Sequence, residues 1–274
     1  MKGPQLIGRF CSLLLAGFLT ACQAQTVAPV TPPVKSPGQL LFEEKCRTVA
    51  GEKIYKTVAE VEGVLLMKVR PARGDREWAD VMWPGAAFAK EVTESEYIKS
   101  FLGYEHSSSA TGVPVTPKYR GYINTDFLPR NPSNLPGYRY VDVIDEKDGK
   151  RYRYTGIYDE PWRTDSSYSK SYVRFTLDKA LIAESAPRYG VTYEDHVVPE
   201  ERELGVASST VKVIDLQTQE VLGEMTRYAW GATKPSRANP SPWLTAWRCP
   251  DHAVGTSAAT RKFVDQILIP RKEK

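Results

Sequence analysis

Apolar residues recur at helical spacing in three parts of the chain. Ser36 can cap a helix whose first turn contains Pro37, and the apolar residues from Leu40 to Val49 fall within it. A second helix is predicted from Thr93 to Leu102, where the apolar residues share one face. A third is predicted from about Ser257 to Ile269.

In much of the remaining chain the apolar pattern alternates with a period of two, which is typical of strands. Residues 138–144 and 150–157 flank Asp148 and Gly149, a strong signal for a hairpin turn. A second hairpin is predicted from residues 210–216 and 220–229. Weaker strand candidates are residues 52–58, 64–70, 171–177 and 188–193.

The order of these segments predicts the fold class. Few strands alternate regularly with helices, so a parallel, Rossmann-like sheet is not expected. We predict a single α+β domain over residues 39–274, with a mainly antiparallel sheet and about three helices. Residues 71–92, 105–136 and 231–256 are expected to be irregular.

Residues 1–21 have the organisation of a cleavable export signal. Lys2 and Arg9 make the start of the chain positive. The apolar stretch from Phe10 to Leu19 is about ten residues long, too short to cross a bilayer core of about 30 Å. It leads into Leu19-Thr20-Ala21-Cys22, which resembles the lipobox of bacterial lipoproteins. Cleavage before Cys22 would remove the signal and leave this cysteine to be acylated.

The residues around the predicted anchor indicate the cellular address. Acyl chains on Cys22 would hold the protein at a membrane, and Gln23, in place of an aspartate, favours the outer membrane of the cell envelope. Residues 22–38 are rich in proline and small residues and are predicted to form an extended tether. The alternative is an ordinary secretory signal, cut after Ala21 or Ala24, that releases a soluble periplasmic protein.

The formal net charge argues against one class of partner. It is +4 for the whole chain and about +2 once Lys2 and Arg9 have left with the signal. A dedicated nucleic-acid-binding domain would be more basic, with a pI above about 9. Nucleic acid is therefore not expected as a partner.

Two of the four cysteines remain for the folded domain, because Cys11 leaves with the signal and Cys22 carries lipid. In an oxidising compartment, Cys46 and Cys249 are expected to form a disulfide, with free thiols as the alternative. A metal site built on Cys249 and His252 lacks further ligands. Neither a metal nor a cofactor is predicted.

Tyrosine and arginine alternate in the first predicted hairpin. Tyr138, Tyr140, Tyr152 and Tyr154 are a possible binding face, which could grip a glycan or an anionic polymer. The alternative is that the tyrosines pack together while the neighbouring arginines are solvated. No residue is predicted to be catalytic.

Two other motifs are incomplete. Ser167 and Lys170 match a Ser-x-x-Lys pair, but the further motifs of such serine enzymes are missing or out of order. His196 lies among acidic residues, where we expect a solvated acidic loop rather than a divalent-metal site.

Four further segments are informative as a set: Cys46 with Val61–Val64, the run Arg188–Asp195, the stretch Val211–Glu224 and the stretch Pro242–Pro250. Together with the lipobox, they resemble a group of uncharacterised proteobacterial lipoproteins. The resemblance agrees with the lipoprotein interpretation. It implies no activity and no site residues.

These observations favour a function without catalysis. We expect a membrane-anchored lipoprotein of the cell envelope whose domain binds a partner protein or an envelope polymer. The alternative is an envelope hydrolase acting on cell-wall or glycan material. Such an enzyme would require paired carboxylates in a cleft, one of them with a raised pKa.

Overall fold

The computed structural model describes residues 34–102, 106–107, 137–159, 161–170, 172, 174–231, 234–251 and 258–271. Six helices lie in these ranges: α1 Pro37–Thr48, α2 Asp75–Ala79, α3 Glu94–Phe101, α4 Pro199–Glu203, α5 Pro242–Thr245 and α6 Ala259–Val264. Two 3₁₀ turns cover Pro84–Phe88 and Pro161–Arg163. The strands in the same ranges are β1 Gly51–Ile54, β2 Val58–Val61, β3 Gly63–Leu66, β4 His106–Ser107, β5 Tyr140–Ile144, β6 Arg151–Asp159, β7 Arg174–Leu181, β8 Tyr189–His196, β9 Val206–Asp215, β10 Glu220–Trp230, β11 Trp247–Cys249 and β12 Leu268–Pro270.

The first two predicted helices are confirmed. α1 begins at Pro37, and the hydroxyl oxygen of Ser36 accepts a hydrogen bond from the backbone N–H of Gln39 at 3.2 Å. α3 corresponds to the second predicted helix. The third prediction is too long, because α6 covers only Ala259–Val264 and the chain then forms a strand over Leu268–Pro270.

Both predicted hairpins are confirmed. β5 and β6 pair antiparallel with Asp142 opposite Arg153. β9 and β10 pair antiparallel along nearly their whole length. Gly149 and Gln219, in the two turns, have positive φ angles of 67° and 60°, as tight hairpin turns commonly require.

The prediction of a mainly antiparallel sheet is wrong, because the main sheet is large and mixed. Its order is β1-β10-β9-β8-β3-β5-β6-β4, with β11 also paired to β10 and β7 also paired to β6. β3 is parallel to both of its neighbours, β5 and β8, and β4 is parallel to β6. β12 and β2 form a separate parallel pair.

The physical reason lies in β3. All four of its residues, Gly63–Leu66, are buried, and strands buried on both faces are typical of parallel sheets. Its partners β5 and β8 come from much later in the chain. The order of strands along the sequence therefore does not indicate which strands pair with β3.

The prediction of about three helices is also wrong, for a different reason. The additional helices α2, α4 and α5 have only four or five residues each, too few to show a helical period. Within the described ranges, none of the helices is long and apolar enough to cross a membrane.

The main sheet has an inner face that carries the core. Strand register places apolar residues of the central strands on this face, among them Val64, Val141, Val191, Val213 and Met225. Phe88 of the first 3₁₀ turn, Phe101 of α3 and Phe263 of α6 belong to the same buried cluster. Helices and turns therefore cover the inner face.

The opposite, outer face is more polar. Thr192, Lys212 and Glu224 lie side by side on it, on β8, β9 and β10. α1 covers one corner of this face, where Phe42 packs with Val206 and Tyr228 in a second, smaller core.

The predicted disulfide is confirmed. Cys46 on α1 is bonded to Cys249 on β11, and their Cα atoms are 5.6 Å apart, within the usual range for disulfides. The two cysteines are 203 positions apart. For a loop of that size, the chain-entropy model gives a stabilisation of roughly 5 kcal/mol. The bond ties α1 to the β11 edge of the sheet.

α1 lies so close to the segment after α4 that Gly38 has no room for a side chain. A Cβ atom there would stand 2.0 Å from the backbone carbonyl oxygen of Leu204. Alanine is favoured over glycine inside a helix by up to about 1 kcal/mol, but overpacking against a fixed backbone costs about 3 kcal/mol. We expect Gly38→Ala to lower the free energy of unfolding by about 2 kcal/mol, measured by urea titration of the full chain.

The matched control is Leu40→Ala on the same helix, because the Leu40 side chain is 53% exposed. Its effect is expected to stay within about 0.5 kcal/mol. A Gly38→Ala protein as stable as the control would contradict the close packing of α1.

Candidate functional site

The predicted anchor lies outside the described residues. This applies to Cys22, to the signal peptide and to the tether before residue 34. Lipidation of Cys22 therefore stays a prediction. The candidate sites within the described ranges are the tyrosine-containing hairpin and a buried group of charged residues that was not predicted.

The structure does not bring the four tyrosines of the predicted binding face together. Tyr138 is fully buried. Its hydroxyl donates a hydrogen bond to the carbonyl oxygen of Leu268 at 2.5 Å, and its ring stacks on that of Phe101 with centroids 6.5 Å apart. Burial raises the pKa of Tyr138. This tyrosine is therefore part of the core.

The hairpin register separates Tyr140 from Tyr152 and Tyr154. Tyr152 lies opposite Val143 and Tyr154 lies opposite Val141, so both belong to the inner face. Side chains alternate along a strand, which places Tyr140 on the outer face. In this register, even-numbered positions of β5 share a face with odd-numbered positions of β6, so Tyr140 cannot lie beside Tyr152 or Tyr154.

Tyr140 belongs to a group of mixed charge on the outer face, which we call the outer-face patch: Tyr140, Asp142, Arg151, Arg153 and Glu184. Arg153 donates from Nε and Nη2 to the two carboxylate oxygens of Asp142, at 2.7 and 3.1 Å. Its Nη1 donates to Glu184 at 3.4 Å, and its guanidinium carbon lies 3.8 Å from the centroid of the Tyr140 ring.

The outer-face patch presents a charged group over an aromatic ring. The hydrogen bond to Asp142 raises the pKa of Arg153, so the guanidinium stays positive. Tyr140 is half-buried beneath it. Cation–π pairs of this kind combine an apolar surface with a fixed charge, and such a surface can contact another molecule.

The second candidate, which we call the buried ionic layer, consists of Arg70, Glu91, Asp195, Ser209 and Arg227. Asp195, Ser209 and Arg227 are aligned across β8, β9 and β10 on the inner face. Arg70 follows β3, and Glu91 precedes α3. The layer therefore joins the sheet to two segments that lie outside it.

Arg70 is the centre of this layer, with only 2% of its side chain exposed. Its Nη1 donates to both carboxylate oxygens of Asp195, at 2.7 and 3.0 Å, and its Nε donates to Glu91 at 3.2 Å. The guanidinium carbon lies 4.3 Å from the ring centroid of Phe88 and 3.6 Å from that of Tyr193. Burial alone would lower the pKa of Arg70, but the charges of Asp195 and Glu91 raise it above its ordinary value.

Glu91 connects the layer to α6. Its carboxylate accepts hydrogen bonds from the backbone N–H of Thr260 at 2.7 Å and from the Thr260 hydroxyl at 2.9 Å. Tyr193 is held nearby, because its hydroxyl donates to the carbonyl oxygen of Val69 at 3.1 Å. Burial raises the pKa of Tyr193 to about 12. These contacts fix the relative positions of β8, α6 and the segments around Arg70 and Glu91.

The interpretation of residues around His196 as a solvated acidic loop is wrong for Glu194 to His196, because these residues end strand β8. Asp195 points to the inner face, while His196 lies on the outer face with its Nε2 3.0 Å from the hydroxyl oxygen of Thr210. The part of the chain that the structure describes holds no group of three or more histidine, cysteine or acidic residues arranged to bind a metal.

The sequence contained one usable signal for the buried ionic layer. Val191, Tyr193 and Asp195 are two residues apart along β8, so their side chains share one face of the strand. A correct strand assignment would therefore have placed Asp195 on the core face. Arg70 and Glu91 offered no such signal, because their partners come from distant parts of the chain.

The ion pair between Arg70 and Asp195 makes a testable contribution to stability. Asp195→Asn removes the negative charge and replaces an acceptor oxygen with a donor. Breaking one partner of a buried ion pair costs about 3–5 kcal/mol. We expect the free energy of unfolding, measured by urea titration, to fall by about 3 kcal/mol.

Glu184→Gln is the matched control, because this carboxylate also pairs with an arginine but its side chain is 76% exposed. Its effect should stay within about 0.5 kcal/mol. Equal effects of the two substitutions would show that the buried pair contributes no more than a surface contact.

Comparisons with protein-family models, with curated proteins and with solved structures found no match for this chain. The segment Arg188–Asp195 runs into β8, and Val211–Glu224 covers the turn and the adjoining halves of β9 and β10. These segments therefore lie in the centre of the sheet.

Proposed function

We propose that this protein is a lipoprotein of the bacterial cell envelope, anchored through Cys22 in the outer membrane, whose domain binds a partner protein or an envelope polymer. The observation that carries the proposal is the disulfide between Cys46 and Cys249. Stable structural disulfides are characteristic of oxidising compartments such as the periplasm. The pairing also accounts for both cysteines that remain after Cys11 and Cys22 are assigned to the signal and the anchor.

The tether supports a binding role at a distance from the membrane. Residues 23–36, which precede α1, number 14 and include three prolines. An extended proline-rich chain covers about 3.1 Å per residue, so the domain could reach as far as about 43 Å from its anchor.

The outer-face patch is the surface that we propose for binding. Arginine and tyrosine are, with tryptophan, the residue types enriched among those that dominate binding energy at interfaces. Arg153 is fixed by Asp142 and stacked on Tyr140, so little side-chain entropy would be lost on binding. Because Asp142 and Glu184 already engage Arg153, the combination fits a partner that offers an apolar surface with polar groups at its edge.

Mass spectrometry of the membrane fraction tests the anchor. For the wild-type chain we expect an acylated N-terminal peptide that begins at Cys22, together with a peptide in which Cys46 is linked to Cys249. Cys22→Ala should lose the acyl groups and leave the outer-membrane fraction, because acylation supplies the membrane affinity. Cys11→Ala is the control and should keep both modifications. An unmodified, soluble wild-type product with free thiols would overturn the proposal.

Site-specific photo-crosslinking in whole cells tests the binding surface. A photo-reactive phenylalanine analogue at position 140 should give adducts with an envelope component, because Tyr140 lies on the outer face. The same analogue at position 152 is the matched control, since Tyr152 lies on the opposite face of the same hairpin. Equal yields from the two positions, or none from position 140, would contradict this choice of surface.

A further inference from the structure

Arg227, in the buried ionic layer, has a guanidinium edge with no partner among the described residues. Its side chain is 1% exposed, and neither Nε nor Nη2 forms a hydrogen bond. These two nitrogens carry the parallel N–H bonds on one edge of the guanidinium group. Leaving buried donors of a charged group unsatisfied is costly, and each instance calls for a partner such as a water molecule or an ion.

The same edge binds carboxylates elsewhere in this protein. Arg153 uses Nε and Nη2 to hold the two oxygens of Asp142 at 2.7 and 3.1 Å. Arg188 uses the same two atoms to hold a single oxygen, Oδ2 of Asp215, at 3.0 and 2.7 Å. Two parallel N–H donors match the spacing of two oxygens in a carboxylate or phosphate group. The edge of Arg227 formed by Nε and Nη2 offers the same two donors, but no carboxylate of the described residues binds it.

A second buried arginine lies next to Arg227. Arg248 is on β11 opposite Ala229 of β10, so Arg227 and Arg248 leave the same face of adjacent strands. Nη1 of Arg248 donates to the carbonyl oxygen of Ala246 at 2.7 Å, and Nη2 donates to that of Trp243. Nε of Arg248 has no hydrogen-bond partner among the described residues.

The surroundings of Arg227 hold charges of both signs, because Glu91, Asp251 and Glu52 oppose its positive charge and Arg70 adds to it. Burial and the charge of Arg227 lower the pKa of Arg248 to about 10. Burial lowers the pKa of Arg227 as well, against the opposing charges of Glu91 and Asp251. Neither of these carboxylates forms a hydrogen bond with Nε or Nη2 of Arg227. Arg248 is 7% exposed and belongs to a short strand beside β10, which places the pair close to the surface.

We propose that Arg227 and Arg248 form a binding site for one oxyanion group, a phosphate or a carboxylate. The Nε and Nη2 donors of Arg227 hold two of its oxygens, and Nε of Arg248 supplies a third donor. The depth of Arg227 limits the bound part of the ligand to a single small group. This inference goes beyond the proposed function and does not depend on the lipid anchor or on the outer-face patch.

Calorimetric titration of the purified full chain with sodium phosphate and with sodium acetate, at constant ionic strength, tests the site. We expect saturable binding of one anion per chain. Arg227→Lys keeps a positive charge but loses the pair of parallel donors, so its affinity should fall at least about tenfold. Tighter binding of phosphate would identify a phosphate ligand, and tighter binding of acetate a carboxylate.

Arg202→Lys is the matched control. Arg202 is as deeply buried as Arg227, but its Nη2 donates to the carbonyl oxygens of Pro84 and His196 at 3.3 and 2.8 Å. Nε and Nη1 of Arg202 have no partner among the described residues, but every parallel pair of donors on a guanidinium group includes Nη2, which is already engaged. Since Arg202 offers no free parallel pair of donors, the Arg202→Lys variant should bind the anion with an affinity within about twofold of wild type.

Nuclear magnetic resonance of the wild-type chain provides a readout that does not require a stable variant at position 227. On titration with the anion, the Nε–H resonance of Arg227 should shift and saturate. Arg248→Gln removes the third donor together with a positive charge and the hydrogen bonds to Ala246 and Trp243, so it should weaken binding by more than the roughly threefold effect of losing one hydrogen bond. The proposal is overturned if neither anion gives saturable binding, or if Arg227→Lys binds as tightly as wild type. Internal water would then satisfy these donors.

Discussion

The guanidinium of Arg70 lies in the core, with 2% of its side chain exposed, and an unpaired charge at such a place would cost several kcal/mol. Asp195 and Glu91 supply the opposite charge, from positions 125 and 21 residues away in the chain. Glu91 is bound in turn by Thr260, 169 positions further on. Because Asp195 and Glu91 both bind Arg70, and Glu91 also binds Thr260, one cation links β8, α6 and the segment before α3.

A second constraint acts at the centre of the sheet, through β3. A Cβ atom on Gly63 would stand 2.2 Å from the Tyr140 ring, so only glycine lets this ring lie against β3. The ring then supports the guanidinium of Arg153 on the outer face. Val64, the next residue of β3, belongs to the core on the inner face. The interior and the outer-face patch are thus linked through one short strand.

The parts of the fold that could be predicted are those with local signals. A cap, a helical period or a turn lies within a few residues, which was enough for α1, α3 and both hairpins. The parallel pairing of β3 joins distant segments and leaves no local pattern. The predicted binding face was chosen by residue type, without knowledge of the register between β5 and β6. That register places Tyr140 and Tyr152 on opposite faces of the sheet. The burial of Arg70 depends on Glu91 and Asp195, which come from distant parts of the chain. The anchor at Cys22 remains a prediction.

The disulfide has a mechanical consequence. A pulling force on the residues before Pro37 enters the described domain at the first turn of α1, a helix that covers only one corner of the sheet. Without a covalent link, such a force would peel α1 away and then unzip β1 from β10. The bond between Cys46 and Cys249 passes the tension from α1 directly to β11, which is paired with the long strand β10. Tension applied along the chain that precedes α1 would therefore be carried by the body of the sheet.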